Sequence, residues 1–182
     1  MKTKSWITLI LLICVGTSFV FLQSCEKIKQ AAKFKVKYDL PDTQFTIDTS
    51  TFLKSELVLY SQVYSAINID SIIGPGAGLV DRVSFYKLRV SIVSPASATI
   101  NWLSSARITV TPQGGIPIEI ATSPTIKATD RSIDFIVKDV DIKATVKKPF
   151  IITLYGNLNG NIPTLPMEVL IQSGLEITVS PF

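Results

Sequence analysis

The chain has 182 residues, of which 47% are hydrophobic and 18% are charged, so its composition is that of a globular protein and excludes a disordered one. It contains no histidine and two cysteines, Cys14 and Cys25. The formal net charge is +4, but seven of the 18 cations lie at or before Lys37, which leaves 11 cations against 13 anions in residues 38–182. Nucleic-acid binding needs a basic face on the folded domain, so the sequence excludes a nucleic-acid partner.

The first 24 residues have the pattern of a secretory signal. Lys2 and Lys4 precede a nearly unbroken apolar stretch of sixteen positions, residues 7–22, and small residues follow it. A membrane-spanning helix needs about 20 apolar residues, so this stretch is slightly short for one. We therefore predict that residues 1–24 are a signal peptide.

The sequence Leu22-Gln23-Ser24-Cys25 resembles a bacterial lipobox, in which a leucine and a small residue guide lipidation of the cysteine. The resemblance implies that Cys25 carries acyl chains such as palmitate, becomes the first mature residue and begins a lipidated tether, residues 25–32. The acyl chains then bind the protein to a membrane, and each CH₂ that they bury in the bilayer contributes about 0.8 kcal/mol to this binding. An uncleaved anchor or a chance cysteine is the alternative.

Removal of the leader also limits the chemistry of the mature chain. Cys14 leaves with the signal and Cys25 is acylated, so no free thiol and no histidine remain. Cysteine nucleophiles, histidine bases and zinc sites built from Cys and His are excluded, and any metal would need oxygen ligands. We therefore expect neither an enzyme nor a cofactor.

Short strands follow one another from Lys33 to the end of the chain. Residues 33–38 and 44–48 alternate polar and apolar side chains, which is the period of a strand with one buried face. Further strands are predicted at residues 57–69 (with a short helix as the alternative), 84–94, 150–155 and 168–179. Within residues 84–94 the alternation places Tyr86, Leu88, Val90 and Ile92 on one side and Phe85, Lys87, Arg89 and Ser91 on the other.

A hairpin is predicted in residues 107–120, which contain ITVTPQGGIPIEI. Its turn falls at Gln113-Gly114-Gly115, because glycine supplies the positive φ that a tight turn demands. Pro112 and Pro117 cannot donate to a strand ladder, so we expect this hairpin at a sheet edge.

Seven to nine such strands predict one all-β domain, residues 33–182. The expected fold is an antiparallel two-sheet β-sandwich of the immunoglobulin-like kind, with an eight-stranded β-barrel as the alternative. Trp102, which lies between two predicted strands, is expected in the core.

Two local patterns are typical of catalytic sites. Ser84 and Lys87 match the S-x-x-K pattern of serine acyl enzymes, but an offset of three on a strand sends them to opposite faces. Asp139 and Asp141 would share one strand face with Lys143, Thr145 and Lys147, at a spacing near that of glycosidase carboxylates. A charged, solvated strand face explains that pair without chemistry.

Two further patterns concern loops. Residues 74–78 (GPGAG) lack the Lys-Ser or Lys-Thr of a phosphate-binding loop, which favours an inter-strand loop. Asp70-Ser71-Ile72 resembles the short acceptor motif of Bacteroidetes O-glycosylation, which would make Ser71 an attachment point.

Over its full length the chain resembles an uncharacterised family of Bacteroidetes-type β-sandwich lipoproteins, through LQSC, FYKLRVSIVSP, WLSSARITVTPQGG and KKPFIITLYG. The resemblance implies an outer-membrane lipoprotein of the cell envelope. Glu26-Lys27-Ile28-Lys29 departs from the acidic start that accompanies surface export, which favours the periplasmic face over the cell surface. We expect a non-enzymatic binding or scaffolding module for an envelope protein or glycan, with a carrier of lipid or another apolar ligand as the alternative.

Overall fold

The computed structural model describes residues 33–48, 57–74, 78–161 and 163–180. These residues form ten strands and two short helices. In chain order they are β1 (Phe34–Asp39), β2 (Thr43–Ile47), β3 (Leu57–Tyr64), α1 (Ile69–Ile73), β4 (Leu79–Ser94), β5 (Leu103–Pro112), β6 (Ile118–Thr122), β7 (Ser132–Asp134), β8 (Ile136–Val137), α2 (Lys143–Val146), β9 (Phe150–Leu158) and β10 (Met167–Ser180).

The strands form two separate antiparallel sheets of five strands each. The first sheet has the order β1-β10-β4-β7, and β2 pairs with the remaining part of β10; the second has the order β3-β9-β5-β6-β8. The sheets pack face to face, and each has edge strands. The predicted two-sheet sandwich is therefore confirmed, and the described strands do not close into the alternative barrel.

The strand count exceeds the predicted seven to nine for a simple reason. β1 and β2 pair with successive parts of β10, from Phe34 opposite Val179 to Ile47 opposite Met167. They are one long edge interrupted at Pro41, which has no N–H to donate. Two more strands, β7 and β8, have only three and two residues, too few to give a periodic pattern.

A β-bulge corrects the predicted faces of β4. The register places Leu175 opposite Phe85 and Gly174 opposite Lys87, so Tyr86 is the additional residue. Phe85 and Leu88 are consequently both buried, whereas Tyr86 lies on the outer face. The expectation that Tyr86 shares a side with Leu88 was wrong, because the bulge shifts the alternation by one residue.

The core between the sheets is closely packed. Trp102 is 2% exposed, as predicted, and packs with apolar residues from both sheets. A void of about 20 Å³ remains beside Trp102, Phe135 and Leu154, and its lining is apolar. This volume would hold about one water molecule. The void stays dry because its apolar lining offers no hydrogen-bond partner to a water.

The predicted hairpin is present as β5 and β6, and Gly114 has a φ of 72° at its turn. Its expected edge position was wrong, because β5 pairs with β9 as well as β6, and β6 also pairs with β8. Pro112 and Pro117 are accommodated because they lie at the end of β5 and just before β6, where the ladder stops.

The two ends of the sandwich carry different segments. At one end, which we call the Lys33 end, β1 and β4 begin, β10 ends, and Lys143 Nζ donates to the carbonyls of Val80 (3.2 Å) and Asp81 (3.1 Å). The turn after β5 is held there too, because Gln113 N donates to Pro149 O at 3.1 Å. At the opposite end, which we call the Asn101 end, Asn159 N donates to Trp102 O at 3.0 Å and Asn161 Nδ2 donates to Asn101 O at 2.8 Å.

Candidate binding site

The predicted lipidation residue, Cys25, lies outside the described residues, as do residues 75–77 of the glycine-containing loop. Lipidation therefore stays a prediction. In the described ranges, no helix has the length and apolar character that membrane crossing requires. The same ranges contain no group of three His, Cys, Asp or Glu side chains that could hold a metal ion.

The structure separates Asp139 and Asp141, so the prediction of a shared strand face was wrong. Residues 138–142 are not a strand, and α2 follows them directly. Asp139 pairs with Arg82 at 2.5 Å and its side chain is 86% exposed. Asp141 Oδ1 accepts from the backbone N–H groups of Val83 (3.1 Å) and Lys143 (3.0 Å). Asp141 thus joins the start of α2 to β4, a structural task that the strand pattern concealed.

The serine patterns lie in ordinary secondary structure. The bulge puts Ser84 opposite Glu176 and Lys87 opposite Gly174, so both face outward, contrary to the expected opposite faces. Ser71 lies in α1, where its hydroxyl donates to Asn68 O at 2.7 Å and its N–H donates to Asn68 Oδ1 at 3.2 Å. Ser71 is exposed, and its glycosylation stays a prediction.

The most accessible backbone for a partner is the edge strand β3. Among the described strands only β9 pairs with it, so its other edge has unpaired backbone groups in alternate residues. Its eight residues, LVLYSQVY, include no charge and no proline. The corresponding edge of the first sheet is different, because β1 carries Lys35 and Lys37 and the edge is interrupted by Pro41. β3 therefore lacks the charges and prolines that block strand addition at other edges, and its one irregularity is the register shift at Leu59, before the end of the strand.

A cleft of about 300 Å³ opens between the two sheets where β3 ends. We call it the Tyr38 cleft. Its lining has no charged side chain and consists of Tyr38, Leu40, Pro41, Tyr64, Ser65, Ala66, Ile67, Asn68, Ser71 and Ile72. The Tyr38 side chain is 36% exposed and forms part of the cleft wall.

Three hydroxyl groups meet beside this cleft. Tyr64 Oη is 3.3 Å from Thr43 Oγ1 and 3.2 Å from Tyr60 Oη, and Tyr60 also donates to Gln62 Oε1. Burial, followed by the hydrogen bond to Tyr64, raises the pKa of Tyr60 well above its usual value. The Tyr60 phenol is therefore a neutral hydrogen-bonding group and does not supply charge to a ligand.

A second hollow, of about 290 Å³, lies on the outer side of the same part of β3. It is lined by Val63, Thr111, Pro112, Gln113, Gly114, Pro149, Phe150 and Ile151. Tyr64 faces the Tyr38 cleft and its neighbour Val63 faces the outer hollow, since successive side chains of a strand point to opposite faces. The end of β3 thus has one hollow on each side.

The sequence indicated β3 but not this site. The absence of charge in residues 57–64 was visible and suggested a more buried strand. Which edge of the strand is free depends on pairing with β9, about ninety residues later, as in the pair Ser61–Thr153. No local pattern reports that pairing.

Comparisons with known proteins give no family. No family model matches the sequence, and no curated protein sequence is similar to it. Among solved structures, the infectious bursal disease virus Gx strain is 15% identical with a TM-score of 0.38, and the VP2 subviral particle of that virus is 12% identical, also with 0.38. Each match covers 81% of this chain and 33% of the viral chain, so the chain spans about a third of their length.

Desmodium yellow mottle tymovirus is 14% identical with a TM-score of 0.24, over 81% of this chain and 89% of the viral chain. At these TM-scores the likeness carries no argument about function. The fold assignment therefore depends on the two sheets themselves.

Proposed function

We propose that this chain is a lipid-anchored envelope protein that acts as a non-enzymatic binding or scaffolding module. Its partner is an envelope protein that supplies an extended segment to the free edge of β3. The observation that carries the proposal is an eight-residue edge strand without charge or proline, unpaired by any other described strand on one side. In such recognition, backbone hydrogen bonds give affinity and hollows for alternate side chains give specificity.

The hollows support this mode of binding. A segment that adds beside the end of β3 directs successive side chains to opposite faces of the sheet. One set reaches the Tyr38 cleft, and the other reaches the outer hollow beside Val63. Both linings lack charged residues, which favours apolar or small polar side chains in the partner segment.

The test compares lysine substitutions on the two edges of the same sheet. Val63 is 66% exposed on β3 and Ile136 is 60% exposed on β8, so neither Val63→Lys nor Ile136→Lys removes a buried side chain. A photo-crosslinker in place of Gln62 identifies the partner in intact cells. We expect Val63→Lys to abolish crosslinking and Ile136→Lys to retain it.

Hydrogen exchange of the purified complex completes the test. Binding to the edge slows exchange of the β3 amides that do not pair with β9. Equal crosslinking by both lysine variants, or unchanged exchange in β3, refutes strand addition. A crosslink between two copies of this chain would identify the partner as a second copy.

A glycan is the second candidate partner, and one observation favours it. The Tyr38 cleft presents a partly exposed aromatic ring and neutral hydrogen-bonding groups without charge, a lining suited to an uncharged sugar. Tyr38→Ala would then abolish binding of a neutral oligosaccharide, whereas Val63→Lys would leave it unchanged. The reverse result favours the protein segment.

The alternative of an apolar-ligand carrier has less support. The void between the sheets is about 20 Å³, whereas small-ligand pockets occupy about 300–1,000 Å³. A carrier would need its sheets to separate. Mass spectrometry of the purified protein for co-purifying lipid tests it directly, and stoichiometric lipid beyond the anchor would favour the carrier.

A further inference from the structure

We propose that the Lys33 end of the sandwich docks on the surface of an anionic lipid bilayer. The proposal rests on the lipid-anchored function above and adds an orientation that the anchor alone does not set. The exposed apolar side chains, the distribution of charge and the position of the first described residue each support it.

Large apolar side chains project from the Lys33 end. Ile116 at the β5–β6 turn is 82% exposed and Leu79 at the start of β4 is 68% exposed, and Phe34 at the start of β1 is also exposed. Exposed apolar groups beside cations are typical of surfaces that enter the headgroup region of a bilayer, to a depth of about 5–10 Å.

Charge distinguishes the two ends. Seven cations and six carboxylates occupy the described segments of the Lys33 end: Lys33, Lys35, Arg82, Lys138, Lys143, Lys147 and Lys148 against Asp70, Asp81, Glu119, Asp139, Asp141 and Glu176. Four of these cations, Lys33, Lys35, Arg82 and Lys138, form ion pairs with carboxylates of the same end. The Asn101 end has two cations and three carboxylates: Lys127 and Arg131 against Asp48, Asp130 and Glu168. The Lys33 end therefore has one excess positive charge and the Asn101 end one excess negative charge, so the Lys33 end is the better match to an anionic surface.

Two of these lysines are placed for contact with headgroups. Lys147 and Lys148 follow α2, are exposed, and precede Pro149, which receives the hydrogen bond from the β5–β6 turn. They therefore lie near Ile116.

The length of the tether limits the distance to the bilayer. Lys33 is eight positions after Cys25, and eight residue steps extend to at most about 26–29 Å. A bilayer that holds Cys25 is therefore within reach of the Lys33 end, whereas the Asn101 end lies at the far end of β4 and β10. The free edge of β3 starts toward the Asn101 end and ends at the outer hollow beside Pro149, so the start of this edge stays accessible when the Lys33 end docks.

The experiment uses the full chain reconstituted in phosphatidylcholine vesicles with and without phosphatidylglycerol. An environment-sensitive fluorescent amino acid replaces Ile116 or, as the matched control, the exposed Leu158 at the Asn101 end. Nitroxide-labelled lipid then quenches whichever probe enters the bilayer, and mass spectrometry of the same sample measures acylation of Cys25.

We expect the probe at position 116 to lose most of its emission in anionic vesicles and the probe at position 158 to keep it. The double substitution Lys147→Glu and Lys148→Glu weakens docking on anionic vesicles by more than roughly fivefold for each lysine, because each change removes a positive charge and adds a negative one. Lys127→Glu, at the Asn101 end, leaves docking unchanged.

Probe quenching tests docking and acylation of Cys25 tests the lipid anchor, so the two proposals can fail separately. Equal quenching at both positions on an acylated chain overturns docking and leaves the lipid anchor standing. Quenching at position 116 without acylation supports docking and refutes the anchor. Equal quenching without acylation refutes both.

Discussion

Replacement of Gly156 by alanine tests how closely the core side chains of β3 and β5 pack over β9. Gly156 lies in β9 and is buried beneath side chains of the neighbouring strands β5 and β3. A Cβ atom at this position would lie 2.7 Å from Leu103 Cδ2 and 3.0 Å from Leu59 Cδ1. Both leucines are buried in the core, so neither can move into solvent.

The size of the effect follows from these contacts. An additional methyl group in a packed core costs about 1–3 kcal/mol, whereas loss of glycine's flexibility in the unfolded chain returns about 0.4–1 kcal/mol. Gly156→Ala should therefore lower the free energy of unfolding by about 1–2 kcal/mol, which is roughly 2–8 °C in Tm for a domain of this size.

Gly174→Ala is the matched control. Its Cβ would lie 2.7 Å from Tyr86 Cζ and 2.8 Å from Asp39 Oδ1. Here the obstructing ring lies on the outer face, where Lys37 Nζ is 4.7 Å from its centroid, and it can move into solvent. The variant loses the Tyr86–Asp39 hydrogen bond and that cation–π contact, both of which are screened by solvent on the outer face, so it should be destabilised less than Gly156→Ala.

Urea unfolding measures both variants. Trp102 is buried and its fluorescence reports the core, while circular dichroism reports the sheets. The reasoning is refuted if Gly156→Ala is as stable as the parent protein, or if Gly174→Ala is the more destabilised of the two.

Three further predictions concern polar groups. Asp141→Ala should lower the free energy of unfolding by about 1–3 kcal/mol, because two backbone N–H groups lose their acceptor. Asp139→Ala removes an exposed ion pair and should lower it by less than about 1 kcal/mol. Equal losses in urea unfolding would contradict this. Tyr60 keeps its proton in the folded state above pH 10, where the unfolded chain loses it. Its contribution to stability is therefore complete below pH 10 and declines above it. When the free energy of unfolding is measured against pH, Tyr60→Phe should remove this part of the decline. Arg131 donates to the carbonyls of Ile92, Pro95 and Ala98 near the Asn101 end. A lysine cannot reproduce the planar guanidinium, so Arg131→Lys should lower the free energy of unfolding by about 1–3 kcal/mol. An unchanged Tm would refute that role.

The sequence was sufficient for the fold class because burial is periodic in the long strands. β10 alternates buried and partly exposed residues over most of its length, and the predicted strands at residues 84–94 and 150–155 lie within β4 and β9. The bulge at Tyr86 and the short strands β7 and β8 could not be predicted, since they depend on contacts with distant strands.

The candidate site was less accessible to sequence reasoning. Asp139 and Asp141 alternate with apolar residues as a strand would, and only the packing of α2 against β4 shows that they do not share a face. The free edge of β3 depends on the strand order, which amino-acid patterns do not specify. Lipidation of Cys25 could be predicted, and stays a prediction, because a targeting signal is a local pattern that does not depend on the fold.

The continuous edge formed by β1 and β2 also determines how the domain responds to force. A pull on Lys33 along the strand axis acts across the hydrogen bonds of six residue pairs in β1 and five in β2, because those bonds run perpendicular to the strands. All of them resist together, in shear, instead of opening one after another from the end. A module that is tethered at Lys33 and held by a partner at β3 would therefore be mechanically strong, and single-molecule pulling between Lys33 and Leu158 should show one abrupt rupture rather than gradual peeling.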